Sequence, residues 1–238
     1  MVLTIHHMEI SQSERIVFLC EELGIDYKLV RHIREPLTSP KSLQSVPGNL
    51  TGKSPFLEDP EIGVALSESG AIVEYILAKT GDTTLCKKYG DKNYTDYIYW
   101  FHYANASLQP AMVGAMFLIH SALPDNDPTK GWAHQRLQST LKHIDDRLKD
   151  NKWLAGEDFT AADIMVVYSL TTQRYFGPNI SYKDYPHIVR FLKDISERPG
   201  YKKAMEKGDP HLKLLVGAEA PETTLIREKG IDSGIWKK

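Results

Sequence analysis

The chain has 238 residues, 42% of them hydrophobic and 25% charged, with a formal net charge of −2. That composition fits one large or two small globular domains and offers no basic field for nucleic acid or for an anionic membrane surface. Two cysteines, Cys20 and Cys86, exclude a disulfide framework and fit a reducing, cytoplasmic setting, while no apolar run is long enough for an integral membrane segment and no signal-peptide pattern opens the chain.

Short apolar runs alternate with helical patterns over the first third of the chain. Val2 to Ile5 reads as a buried strand. Ile16, Leu19, Cys20 and Leu23 then share one helix face, which Gly24 ends. Tyr27 to Ile33 predicts a second strand. The Pro-, Ser- and Gly-rich stretch from Glu35 to Thr51 predicts a loop with at most one helical turn. Phe56-Leu57 and Val64 to Leu66 predict two short strands around a turn-rich loop, and a helix follows from about Ser67 to Lys79.

A linker around 80–92 changes the pattern to helices alone. Tyr97, Trp100, Phe101, Ala104 and Leu108 form one apolar stripe, and Leu137, Leu141, Ile144 and Leu148 form another. Ile164 to Tyr168 is apolar nearly all round, which predicts a central buried helix. Thr160-Ala161-Ala162-Asp163 before it is a capping-box variant. Ile188, Phe191, Leu192 and Ile195 form a last stripe, stopped by Arg198-Pro199-Gly200. The boundaries are 1–82, 92–215 and a polar tail at 216–238.

Two motifs carry chemistry. Pro55, at a strand start, offers the sheet no N–H and in the cis form makes a sharp turn, leaving the Ser54 backbone free to pair with an extended peptide-like ligand. Ser67-Glu68-Ser69 gathers hydroxyls, a carboxylate and helix N-terminal N–H groups, a set suited to an amino-acid head group. Together they suggest a small γ-linked peptide. On these residues the chain resembles the glutathione transferase family, whose members bind glutathione as cosubstrate. The resemblance implies a cis Pro55, Ser54 pairing with the cysteinyl unit, and Glu68 and Ser69 holding the γ-glutamyl end. It also implies a thioredoxin-like α/β domain followed by an all-α helical domain lining the electrophile site. A homodimer is implied too.

The loop His6-His7-Met8-Glu9-Ile10-Ser11-Gln12-Ser13 joins the first strand to the first helix, where ligands sit in open α/β sheets. Ser11 or Ser13 either caps the helix or donates a hydrogen bond to a bound thiol sulfur. The theta, tau, phi and zeta pattern of the family places its activating serine at Ile10, which cannot donate. A yeast and fungal, theta-related branch with the loop His-Ser-x-x-x-Arg places it at Ser11, with Ser13 second. Ala106-Ser107-Leu108-Gln109-Pro110 resembles the same branch. Lys53, and less so Lys41, are candidates for the glycyl carboxylate. Tyr103, Met112 and Met116 lie off the apolar stripe and are candidates to line an apolar pocket for the electrophile.

His6 and His7 are adjacent, point to opposite faces, and make poor metal-ligand spacing, so no metal is expected. The ordinary expectation is a partly buried imidazole satisfied by backbone; the alternative is that one of the two lines the ligand cleft. Cys20 sits on the helix's apolar face as a core residue, and the loop has no cysteine for glutaredoxin-like chemistry. The expected activity is glutathione conjugation to an apolar electrophile, in detoxification, with a secondary-metabolite tailoring enzyme as an alternative. A glutathione peroxidase and a non-catalytic binding or regulatory protein on the same fold are the others.

Overall fold

A computed structural model describes residues 2–35, 37–119 and 121–226. The part of the predicted tail at 227–238 lies outside the described residues. The chain forms two compact units, Met1–Lys87 with Ile195–Lys213, and Lys88–Asp194 with the chain from Leu214 onward. Residues 195–213, which the sequence boundaries put in the helical half, thus cluster with the first unit.

The first unit holds a four-stranded sheet in the order β2-β1-β3-β4, from β1 (Leu3–Met8), β2 (Tyr27–His32), β3 (Phe56–Asp59) and β4 (Val64–Ser67). β1 is parallel to β2 and antiparallel to β3. As a central strand it is covered on both faces, which is why its histidines are buried along with Leu3 and Ile5. Helix α1 (Glu14–Leu23) crosses between β1 and β2, and Gly24 ends it in the left-handed region at φ 61°, where a glycine has no Cβ to clash. The predicted loop holds one turn of helix, α2 (Lys41–Gln44), and α3 (Ser69–Thr80) follows β4.

Seven of the ten residues of α1 are buried, including Val17 and Phe18 off the predicted stripe. The cause is a helix that the sequence did not reveal: α10 (Pro199–Gly208) packs on α1, with Tyr201 edge-on to Phe18 at 5.2 Å. Arg198 adds a two-pronged ion pair to Glu22 at 3.0 and 2.5 Å. Arg198-Pro199-Gly200 does stop the preceding helix, but Pro199 also opens the next one at its first position, where a missing N–H costs nothing.

The second unit contains α4 (Tyr94–Tyr103), a wide π turn (Ala104–Leu108), α5 (Gln109–Ile119), α6 (Pro128–Asp150), α7 (Ala161–Leu170), α8 (Gln173–Phe176) and the start of α9 (Pro186–Glu197). The wide turn precedes Pro110, which has no N–H for the carbonyl four residues back and would crowd it in a regular helix. Every residue of α7 is buried, as its all-round apolar pattern predicts. Its capping box forms: Asp163 Oδ2 accepts from the Thr160 N–H at 2.9 Å, and the Thr160 side chain caps in return. Asp145 on α6 accepts from the N–H groups of His187 and Ile188 at 2.8 and 2.9 Å, supplying α9 with a cap from another helix.

Candidate functional site

The β1–α1 loop is held in an unusual conformation. Ile10 has φ 50°, a region that a β-branched residue enters at a cost on the order of 1–3 kcal/mol. Three hydrogen bonds hold it there. Arg34 donates from Nε to the Glu9 carbonyl and from Nη2 to the Ile10 carbonyl, each at 2.8 Å. The Ile10 N–H donates to Asp209 Oδ1 at 3.1 Å. The loop can therefore present Ser11 in a fixed place without a side chain at position 10 taking part.

Ser11 and Ser13 come together with Ser54. Ser11 Oγ donates to the Met8 carbonyl at 2.7 Å and lies 2.7 Å from Ser13 Oγ and 3.4 Å from Ser54 Oγ. Ser54 Oγ donates to the His6 carbonyl at 3.1 Å and accepts from the Met8 N–H at 3.2 Å, which ties the residue before Pro55 to β1. Ser13 stands at the N-cap of α1, yet its hydroxyl makes no capping bond; it faces His7 Nδ1 at 2.9 Å instead. Ser13 therefore does not cap the helix, and the hydroxyl that accepts a backbone N–H at the helix start is that of Ser11, from Ser13 at 3.3 Å.

The Ser54–Pro55 bond is cis, Pro55 is buried, and Ser54 is partly exposed. Among the described residues the Ser54 N–H and carbonyl have no hydrogen-bond partner, so this stretch of backbone is available for an added extended segment. Glu68, exposed, sits just before α3 at φ 75°. Ser69 is the first residue of α3 and is 1% exposed. Its hydroxyl accepts from Arg15 Nη1 at 2.9 Å and donates to Gln12 Oε1 at 3.1 Å, and Arg15 Nη1 also donates to Gln12 at 2.8 Å. The fully buried Arg15 guanidinium therefore puts a positive charge behind the helix N-terminus, where an incoming carboxylate benefits from both. Sequence reasoning missed Gln12 and Arg15 here. Polar residues at the start of a helix ordinarily face water, and only the fold brings these two to α3.

The other candidates separate. Lys41 and Lys53 are exposed in the first unit. Tyr103 is half-buried in the second, donating to the Thr140 carbonyl at 3.3 Å within a cluster of Tyr99, Trp100 and His143. Burial pushes its phenol up to about 12. Met112 and Met116 are 0% and 3% exposed, and Met116 lies against Gly177. The expectation that these methionines line an open apolar pocket is thus corrected: both side chains are buried and fill core space.

The histidines also differ from expectation, being satisfied by side chains rather than backbone. His6 Nδ1 meets His32 Nε2 at 3.0 Å and its Nε2 meets Glu58 at 2.9 Å. Burial, then the nearby His6 and His7, holds His32 below the usual imidazole range. Cys20 is buried, which raises its thiol to about 12 and keeps it unreactive. Among the described residues no cluster of His, Cys, Asp or Glu has the arrangement to hold a metal, and no helix is long and apolar enough to cross a membrane.

Residues 5–84 match the Glutathione S-transferase, N-terminal domain, and residues 111–199 the Glutathione S-transferase, C-terminal domain. Glutathione S-transferase 3 of Schizosaccharomyces pombe is 29% identical over 219 residues, covering 87% of this chain and 88% of that protein. Glutathione S-transferase Y-2 of Pichia kudriavzevii is 30% identical over 145 residues, covering 61% of this chain and 71% of that protein. A crystal structure of a glutathione S-transferase from Actinobacillus pleuropneumoniae superposes with a TM-score of 0.76 at 27% identity, over 87% of this chain and 93% of the other. Structures at 20% identity or less that share the fold include glutathione transferases solved with glutathione bound. With the cis-Pro edge, the Ser69 helix start and both halves of the chain matched, the chain belongs to the glutathione S-transferase family.

Proposed function

We propose that the chain is a glutathione transferase of the yeast and fungal, theta-related type, which adds the glutathione thiolate to an apolar electrophile. The unpaired Ser54 backbone beside the Glu68–Ser69 helix start carries this reading. The cysteinyl unit would pair with Ser54 as an added strand. The γ-glutamyl ammonium would meet Glu68, and its carboxylate the N–H groups at Ser69 backed by Arg15. Lys53 and Lys41 are the nearby cations for the glycyl carboxylate. The thiol would lie toward Ser11, whose hydroxyl, turned from the Met8 carbonyl, donates to the thiolate and favours the charged form. The thiolate then attacks the electrophilic carbon, and a leaving group departs with the bonding pair or a double bond takes up a proton. A homodimer and a detoxifying role belong to the same proposal.

One observation favours a second reading. Ser11 Oγ already makes a 2.7 Å bond to the Met8 carbonyl, an arrangement that suits a glutathione binder without thiol activation. Glu68→Gln tests the shared part of both readings. The exchange removes the carboxylate from an exposed position and should weaken glutathione binding by about tenfold, with little change in kcat. Calorimetric titration checks it, and unchanged affinity would remove Glu68 from the site.

A further inference from the structure

Behind Ser13 lies a buried imidazole–carboxylate pair with no role in the reading so far. His7 Nδ1 is 2.9 Å from Ser13 Oγ, and Ser13 Oγ is 2.7 Å from Ser11 Oγ. On the far side of the ring, His7 Nε2 lies 3.2 Å from Asp209 Oδ2, and both side chains are 1% exposed. Among the described residues neither atom makes a hydrogen bond, so the pair is a close charge contact rather than an aligned hydrogen bond. Asp209 is fixed on its own account. Its Oδ1 accepts from the Ile10 N–H, and its N–H donates to the Met205 carbonyl at the end of α10. Gly208 lets that helix end close on the imidazole, since a Cβ there would stand 3.1 Å from two ring atoms. Around the ring the titratable neighbours are Asp209 after α10, and His6 and His32 on β1 and β2; α1 contributes the neutral Ser13.

We propose that His7, oriented by Asp209, is a positioning residue that receives the thiol proton of bound glutathione through Ser13 and Ser11. This rests on the reading of Ser11 as the neighbour of the sulfur. The relay starts with His7 Nδ1 accepting from the Ser13 hydroxyl. On binding, the S–H bond breaks and its proton passes to Ser11 Oγ. The Ser11 proton passes to Ser13 Oγ, and the Ser13 proton to His7 Nδ1. Sulfur keeps the electron pair, and both serines end as neutral hydroxyls. Each hydroxyl now donates one step toward the thiolate, and the new imidazolium lies against the Asp209 carboxylate. The net charge of the set is unchanged, so a buried site need not export a proton or hold an uncompensated charge. The division of labour is that of a hydroxyl, an imidazole and a buried carboxylate in acyl transfer, with a thiol as the group deprotonated.

The test is calorimetric titration of the full chain with glutathione at neutral pH, in two buffers of different ionisation enthalpy, with thiolate followed by its ultraviolet absorbance. The wild-type protein should form thiolate while releasing almost no proton to the buffer. Formation of thiolate with release of about one proton would overturn the relay and leave Ser11 as a simple donor. Failure to bind glutathione, or binding it as the thiol, would overturn the reading of the site itself. Ser13→Ala, which removes the middle hydroxyl, should raise the apparent pKa of the bound thiol by about one unit. At neutral pH kcat/KM should fall by about tenfold, with glutathione affinity within about threefold. His7→Asn, which keeps a polar group near Nδ1 but cannot accept the proton, should do the same. Folded variants whose bound thiol titrates as in the wild type would contradict the relay. If neither variant folds, the wild-type proton count decides alone.

Discussion

Ser11→Ala is expected to lower kcat/KM for conjugation of glutathione to an aryl halide by about a hundredfold, with the KM for glutathione within about threefold. The hydroxyl it removes is the one on the β1–α1 loop that meets both the Met8 carbonyl and Ser13 at 2.7 Å. The groups proposed to hold the peptide, at Ser54, Glu68 and Ser69, are left intact, so the loss should fall on chemistry rather than on binding. Position 10 cannot take over, because an isoleucine there has no donor side chain. A full wild-type rate in Ser11→Ala together with a loss in Ser13→Ala would move the role to Ser13. Steady-state kinetics on the two variants separates these outcomes.

The largest expected effect on stability is at Asp163. Its carboxylate is 0% exposed and accepts from the Leu154 N–H at 2.8 Å, the Thr160 N–H at 2.9 Å and the Thr160 hydroxyl at 3.2 Å. Asp163→Ala leaves those buried donors without an acceptor and opens a small void at the start of the central helix α7. The expected loss is about 3–5 kcal/mol, readable as a lower urea midpoint. Burial pushes the Asp163 carboxyl up to about 6, against the pull of these hydrogen bonds. A folded-state value above the ordinary one means that the unfolded chain ionises first as pH rises. The contribution of protonated Asp163 is therefore full below the ordinary 3.8 and is lost as pH rises through about 6. The stability difference between wild type and the non-titrating Asp163→Asn should shrink from about pH 4 to pH 6 and then level off. A difference that is flat or growing across that window would contradict the buried, raised carboxyl.

Much of the fold was legible because its signals are local. A period of 3.6 marked α1, a continuous apolar run marked α7, and Gly24 marked a helix end that the structure places in the left-handed region. What escaped depends on contacts between segments distant in the chain. Pro199 carries the same residue signal for ending α9 and for opening α10, and only packing against α1 shows the second. Asp209 lies about 200 residues from Ile10, so nothing near the loop announces the acceptor that holds it. Gln12 before the helix and Arg15 in its first turn carry no signal of their own until α3 brings Ser69 onto them. The two adjacent histidines read as isolated because their partners, His32 and Glu58 for one, Ser13 and Asp209 for the other, come from four separate elements. In the second half, off-stripe position suggested that Met112 and Met116 faced a pocket. Both are buried all the same, because packing by other segments and not the stripe alone decides which positions are covered.

In the proposed reading, the backbone edge at Ser54 and the helix start at Ser69 concern what is held, and Ser11 concerns what is done to it. Ultraviolet titration of glutathione bound to the wild-type chain reads that second point. Bound thiol should ionise with an apparent pKa at least about one unit below the roughly 8.5 of a free cysteine-type thiol, and Ser11→Ala should return it toward that value. A bound thiol that titrates as it does free in solution, unchanged by Ser11→Ala, would contradict thiol activation and leave the chain a glutathione binder.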